Sequence, residues 1–156
     1  MLTESEIIQT KKKLLAECHR FIDERIMTIQ TAISAAQDSA NDETKSSAGD
    51  KYETGRAMMQ IEIEQNLKQQ AEANRQKSIL NQINPALVSS TVQIGSVVTT
   101  DNGNFFLAVS VGQVQLEGKS FMVVSTQSPV GSKLMGVKAG AAISFANKRY
   151  AVTHVG

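Results

Sequence analysis

Cysteine is almost absent from this chain, and the single one, Cys18, excludes an internal disulfide and a cysteine-rich zinc site. Net charge is almost absent too. Sixteen basic residues against 15 acidic ones leave +1, so no global field advertises nucleic acid or an acidic substrate. No apolar run approaches the roughly 20 residues that span a bilayer, which predicts no membrane partner. The opening "MLTESEIIQTKKK" lacks the apolar segment of a secretory signal, so a soluble, cytoplasmic protein is expected. The two histidines, His19 and His154, lie far apart with no partner at metal-ligand spacing, and each reads as a surface or packing residue. No nucleophile elbow, phosphate-binding loop or dinucleotide fingerprint occurs. This inventory is poor for an autonomous enzyme and favours a protein that presents groups to a partner.

What is present divides the chain in two. Residues 1–84 carry 24 of the charges, two glycines, two aromatics (Phe21 and Tyr52) and no proline. Residues 85–156 carry seven charges, eight glycines and five aromatics. The shift, at "NQINPALVSST", predicts a domain over 1–84, a linker over 85–91 and a second domain over 92–156.

The first part reads as helix. Leu15, Cys18, Ile22, Ile26, Ile29, Ile33 and Ala36 recur at three- and four-residue steps, close to a heptad seam, and Thr3 with Glu6 makes a capping box at its start. The "KKK" of Lys11 to Lys13 reads as a solvated face. Periodicity fails in "QDSANDETKSSAG". A second run follows through Met59, Ile63, Leu67, Ala71, Ile79 and Ile83. Neither helix buries its stripe alone, so an antiparallel hairpin is expected, about 45 Å long at ~1.5 Å per residue. Its free end is an acidic tip over residues 38–53, with Asp38, Asp42, Glu43, Asp50 and Glu53.

The second part reads as strands. "VQIGSVVTT", "NFFLAVSVG", "SFMVVST", "AAISFA" and "RYAVTHV" are short, rich in Val, Phe and Thr, and separated by turn signals such as Asp101-Asn102-Gly103. Between them, "SPVGSKLMG" offers Ser128 as N-cap, Pro129 at N1 and Gly136 at C′, predicting one short helix. Val130, Leu134 and Met135 on that helix are either a contact patch or core. The fold class is thus α+β: a coiled-coil hairpin followed by a small bent sheet on one helix.

One pair of residues carries more than local information. Asp50 and Glu53, in "SSAGDKYETG", stand three apart where the second helix begins. The spacing is that of a capping box, and it also sets two carboxylates on one face of a helical turn, aimed at a common target.

In order and motif the chain resembles the bacterial transcript-cleavage factors of the Gre family. "GDKYETGRAMMQIE" is similar to their tip motif, Gly-Asp-x-x-Glu-Asn, and "SPVGSKLMGVKAG" to their Ser-Pro-x-Gly-x-x-Leu-x-Gly-x-x-x-Gly block. The resemblance implies an FKBP-like C-terminal domain that docks at the rim of the secondary channel of RNA polymerase. Ser128, Pro129, Val130, Leu134 and Met135 would contribute to that docking. It also implies a monomeric protein whose coiled coil enters the channel. There Asp50 and Glu53 would help hold a second Mg²⁺, shared with the polymerase and absent from the free protein, so that backtracked RNA is cleaved near its 3′ end. The chain itself is then no enzyme: it stimulates the polymerase's own cleavage activity. Two carboxylates are too few for a complete Mg²⁺ site, which agrees with a shared one. With few aromatics to line a proline pocket, isomerase activity is not expected.

The chain departs from the family pattern at Thr54, where asparagine is expected, at Gly55-Arg56-Ala57 after it, and at Gly140-Ala141 near the end of the second block. Related factors with altered acidic tips inhibit the polymerase, so a channel-binding inhibitor without cleavage activity is one alternative. A coiled-coil scaffold protein is another.

Overall fold

The computed structural model describes residues 2–45 and 49–156, without the side chains of residues 43–45 and 49–53. Helix α1 spans Glu4–Lys45 and helix α2 spans Gly49–Gln82. Strands β1 (Val97–Thr100), β2 (Gly103–Ala108), β3 (Gly112–Leu116) and β4 (Lys119–Ser125) follow. Helix α3 (Pro129–Leu134) then precedes β5 (Ala142–Phe145) and β6 (Lys148–Val155). The α+β class and the long helical hairpin are as expected. The chain forms two compact units, residues 22–77 and residues 1–21 together with 78–156. The first and last turns of the hairpin therefore belong to the same unit as the sheet.

In the unit formed by 1–21 and 78–156, helix α1 opens on the predicted capping box. The Glu6 amide donates to Thr3 Oγ1 at 3.2 Å and the Thr3 amide to Glu6 Oε2 at 3.4 Å. Ile7, Leu14 and Cys18 are buried along one face, and Lys11 is buried with them at 2% exposure. This corrects the expectation of a solvated lysine run: Lys12 and Lys13 are exposed, but Lys11 sits one turn from both Ile7 and Leu14. Its ammonium donates to the carbonyl of Leu87 in the connection after α2.

The sheet has the order β3-β4-β2-β1-β6-β5. Neighbours are antiparallel except β2 and β4, which run parallel with Asn104 opposite Phe121 and Ala108 opposite Ser125. Strand β3 was not anticipated. Its "GQVQL" buries only Val114, and such a short run at a sheet edge shows little alternation.

Strand alternation sends side chains to two faces. On one face Val98, Phe105, Leu107, Val124 and Val152 pack with Val130 and Leu134 of α3. Helix α3 starts as predicted: the Ser128 side chain accepts from the Gly131 amide at 3.1 Å, Pro129 follows, and Gly136 takes φ +81° beyond the Met135 cap. Gly131 has to be glycine, since a Cβ there would lie 1.9 Å from the Ser125 carbonyl oxygen. On the other face Val97, Phe106, Phe121 and Val123 are also buried. The helix ends also touch the sheet part of this unit. Ile7 lies against Gly156, Ile83 against Gly95, and Lys13 pairs with Glu117 in the β3–β4 turn.

In the unit 22–77, the two helices bury Ile22, Ile29 and Ala36 from α1 and Ala73 and Gln76 from α2. Lys77 pairs with Asp23 across them. The α1 seam is the predicted one, with Ile26 and Ile33 half-buried beside it. The α2 stripe is the predicted one at Met59 and Ile63, both half-buried, but not beyond them. Leu67 and Ala71 are exposed, and the inward positions after Ile63 are taken by half-buried Asn66 and Gln70, then Ala73 and Gln76. The helix turns 3.6 residues per turn whatever the side chains, so a stripe begun at Met59 and Ile63 passes next through Asn66 and Gln70. Helix α1 also continues through Gln37–Lys45, a segment expected to be irregular. Glutamine, alanine, glutamate and lysine are good helix formers, and no proline interrupts them.

Among the described residues no helix is long and apolar enough to cross a membrane.

Candidate functional site

The acidic tip is placed by backbone. Asp50 and Glu53 both lie in the first turns of α2, which begins at Gly49, so the three-residue spacing is realised on a helix. Their side chains lie outside the described residues, as does that of Glu43. Of the other acids read as part of the tip, Asp38 and Asp42 are exposed on the last turns of α1. A pair of carboxylates on one helical turn supplies hard, anionic oxygen of the kind Mg²⁺ takes, but a partner must complete the coordination. Among the described residues, no group of three His, Cys, Asp or Glu side chains comes together as a metal site.

The residues read as a docking surface on α3 divide by burial. Leu134 has 0% exposure and Val130 is buried beside it in the core, so neither offers surface to a partner. Ser128 is spent on the helix cap. Pro129 and Met135 alone of the five are exposed. The division has a simple cause: a six-residue helix lying on a sheet turns its apolar residues inward.

What the sequence did not suggest is a hollow on the α3 side of the sheet. A cavity of about 440 Å³ is lined by Phe105, Met122, Val124, Val130, Phe145 and Tyr150, among others. Three of the five aromatics after the linker thus meet in one place. Phe105 and Tyr150 pack edge to face with ring centres 5.6 Å apart, and the Lys148 ammonium stands 6.0 Å from the Tyr150 ring centre. Met122 lies on the same side at 41% exposure. At the rim, Asn104 and Gln113 both donate to Ser120, through its carbonyl and its hydroxyl respectively, and Asn102 donates to the Arg149 carbonyl. No stretch of sequence signals this cavity, because its walls come from β2, β4, α3, β5 and β6, which only the sheet order brings together.

Outside the tip, burial and pairing shift several titratable groups. Burial pushes the Cys18 thiol up to about 12, and the nearby Glu17 carboxylate adds to the shift, so Cys18 is an inert core residue. Burial lowers the Lys11 ammonium from its ordinary value. Glu117 is held below the usual carboxylate range by its hydrogen bond to Lys13. His19 and His154 are half-buried, on α1 and β6.

Set against known protein families and curated proteins, the chain matches no family model and no characterised sequence.

Proposed function

We propose that this chain is a Gre-like transcription elongation factor. In this reading it binds RNA polymerase as a cytoplasmic monomer, sends its helical hairpin into the secondary channel, and stimulates cleavage of backtracked RNA there. The observation that carries the reading is a pair of long helices, 42 and 34 residues, with Asp50 and Glu53 on the first turns of the second. The sheet and its single capped helix support an FKBP-like identity for the C-terminal part. Within the polymerase, Asp50 and Glu53 would hold Mg²⁺ together with ligands of the polymerase. When bound, such an ion lowers the pKa of water and offsets charge on the attacked phosphate. The two acids bind and orient; they carry no nucleophile of their own.

The test is a stalled, backtracked elongation complex, followed by RNA length over time with wild-type chain and with Asp50→Asn/Glu53→Gln. Asparagine caps a helix as well as aspartate and glutamine serves at N3, so the amide pair preserves the helix start and removes only charge. Loss of stimulated cleavage with retained binding is expected. Undiminished cleavage would return the pair to a capping role. Wild-type chain that binds but never stimulates cleavage would point to the channel-blocking inhibitor instead.

One observation favours a coiled-coil scaffold. Met58 and Ile61 stand three residues apart on α2, at 61% and 56% exposure, as an outward apolar pair that a further helix could cover. A pull-down separates the readings, since a scaffold would not retain the polymerase core.

A further inference from the structure

We propose that a hollow on the sheet face opposite α3 binds a small monocarboxylate with an apolar body and a hydroxyl at its far end, held between Lys119 and His154. The hollow lies within the unit formed by 1–21 and 78–156. The inference does not rest on the polymerase reading and concerns neither the hairpin tip nor the aromatic cavity beside α3.

Strand register builds the floor. Phe121 on β4 stands opposite Asn104 on β2, Asn104 opposite Thr99 on β1, and Thr99 opposite His154 on β6. Paired residues point to the same face, so this row of side chains crosses four strands, about 14 Å at ~4.8 Å per strand. Lys119 and Val97, two residues before Phe121 and Thr99, flank the row on the same face. Leu2, just ahead of α1, adds a wall. The volume, about 580 Å³, falls within the ~300–1,000 Å³ range of small-molecule sites. It is larger than the hollow beside α3, and no motif announces it, because its residues come from four strands and the chain's first turn.

The lining sorts ligands by charge. Among the described residues no aspartate, glutamate or arginine lines the hollow. An amine would find no anion to pair with, and a polyphosphate would find one lysine for several charges. The start of α1 does not add to that charge, since the Glu6 carboxylate already accepts from its first amides. A neighbouring hollow of about 300 Å³ shares Leu2, Lys119 and Phe121, but its other cation, Lys13, is paired with Glu117. Lys119, exposed at the head of β4, makes no hydrogen bond or ion pair among the described residues and adds only a more distant charge to Glu117. One anionic group is thus the complement of this end. The middle is carbon: Leu2, Val97 and Phe121 suit an apolar body. At the far end the Thr99 hydroxyl and both His154 ring nitrogens have no hydrogen-bond partner among the described residues, while the Thr153 hydroxyl donates to the Thr99 carbonyl at 3.1 Å. A neutral imidazole both donates and accepts, and so does a ligand hydroxyl placed against it. A ring with a short acid arm and a hydroxyl opposite meets all three requirements.

The test titrates the ¹⁵N-labelled full chain with para-hydroxyphenylpropanoate. Parallel titrations use its carboxamide, phenylpropanoate without the hydroxyl, tyramine and uridine monophosphate. Saturable shifts are expected at Val97, Thr99, Asn104 and His154, with the carboxamide about two- to fivefold weaker than the acid and tyramine weaker still. Lys119→Gln, on an exposed side chain that the fold does not need, should make acid and carboxamide bind alike. Lys133→Gln, on α3 at the other face, should leave their difference unchanged. His154→Leu should remove the advantage of the hydroxylated acid over phenylpropanoate. Absence of saturable shifts at about 10 mM acid would overturn the proposal, because a ligand of this size in a formed site binds in the low millimolar range or better. So would a carboxamide that binds as well as the acid, a preference for the nucleotide, an acid preference that survives Lys119→Gln, or shifts that gather at Met122 and Tyr150 instead.

Discussion

Lys11 occupies a position on α1 where a heptad seam would place leucine, and replacing it with methionine makes a sharp test of what it contributes. The side chain is 2% exposed and its ammonium makes one hydrogen bond, to the Leu87 carbonyl. That bond is charge-assisted and contributes about 1.5–3 kcal/mol. Against it stands the desolvation of an ammonium with no buried carboxylate among the described residues to offset it, which costs several kcal/mol. Methionine fills a similar volume and carries no charge, and Leu87 is itself exposed, so its carbonyl can turn to water. Lys11→Met is therefore expected to stabilise the fold by roughly 1–2 kcal/mol, the balance of those two terms. For a chain of this length that is about 2–8 °C in the thermal midpoint.

The pH dependence separates this cause from better packing. Burial lowers the folded-state value of Lys11 below the 10.5 of the free side chain. Between those two values the unfolded chain binds more protons than the folded one, so stability rises with pH across that window. Below it the full penalty of the buried charge remains. The wild-type chain should thus gain stability as pH rises toward 10.5, and Lys11→Met should lose that slope. Denaturant titrations of both proteins at several alkaline pH values supply the comparison. A variant destabilised by more than about 1 kcal/mol, or two parallel pH profiles, would refute the assignment of Lys11 as a net cost.

Gln76, buried in the hairpin, has a side-chain oxygen with no partner among the described residues. Gln76→Leu should stabilise by about 1–3 kcal/mol in urea unfolding, and a destabilised variant would mean that the amide is satisfied in solution. The fragment 92–156 lacks Ile7 and Ile83, which pack against Gly156 and Gly95, so it should bind a hydrophobic dye and associate. A well-dispersed monomeric spectrum from that fragment would show instead that the second face of the sheet needs no cover.

Much of the fold was legible because it is local. Thr3 and Glu6 cap α1 as their spacing predicts, and Ser128 with Pro129 starts α3 for the same kind of reason: the groups that pair are three residues apart. The α1 seam through Cys18, Ile22, Ile29 and Ala36 could be read from its period. Strand β3 and the true inward face of α2 could not. Edge pairing decides the first, and the second follows a face whose middle residues are polar, so hydrophobicity misleads there. Of the sites, the tip pair is legible only as a spacing on a helix, while of the α3 residues left open between contact patch and core, Val130 and Leu134 are core and Met135 is exposed.

The sequence by itself determined the helical hairpin, the α+β class and the capped short helix, because propensity, period and capping act within a few residues along the chain. Only the tertiary structure decided that Lys11 is buried and that the helix ends share a unit with the sheet. It alone brought Phe105, Phe145 and Tyr150 to one cavity. Those outcomes depend on strand order and on which faces meet, and residues some 40 apart in the chain become neighbours only when burial of both sheet faces selects that arrangement.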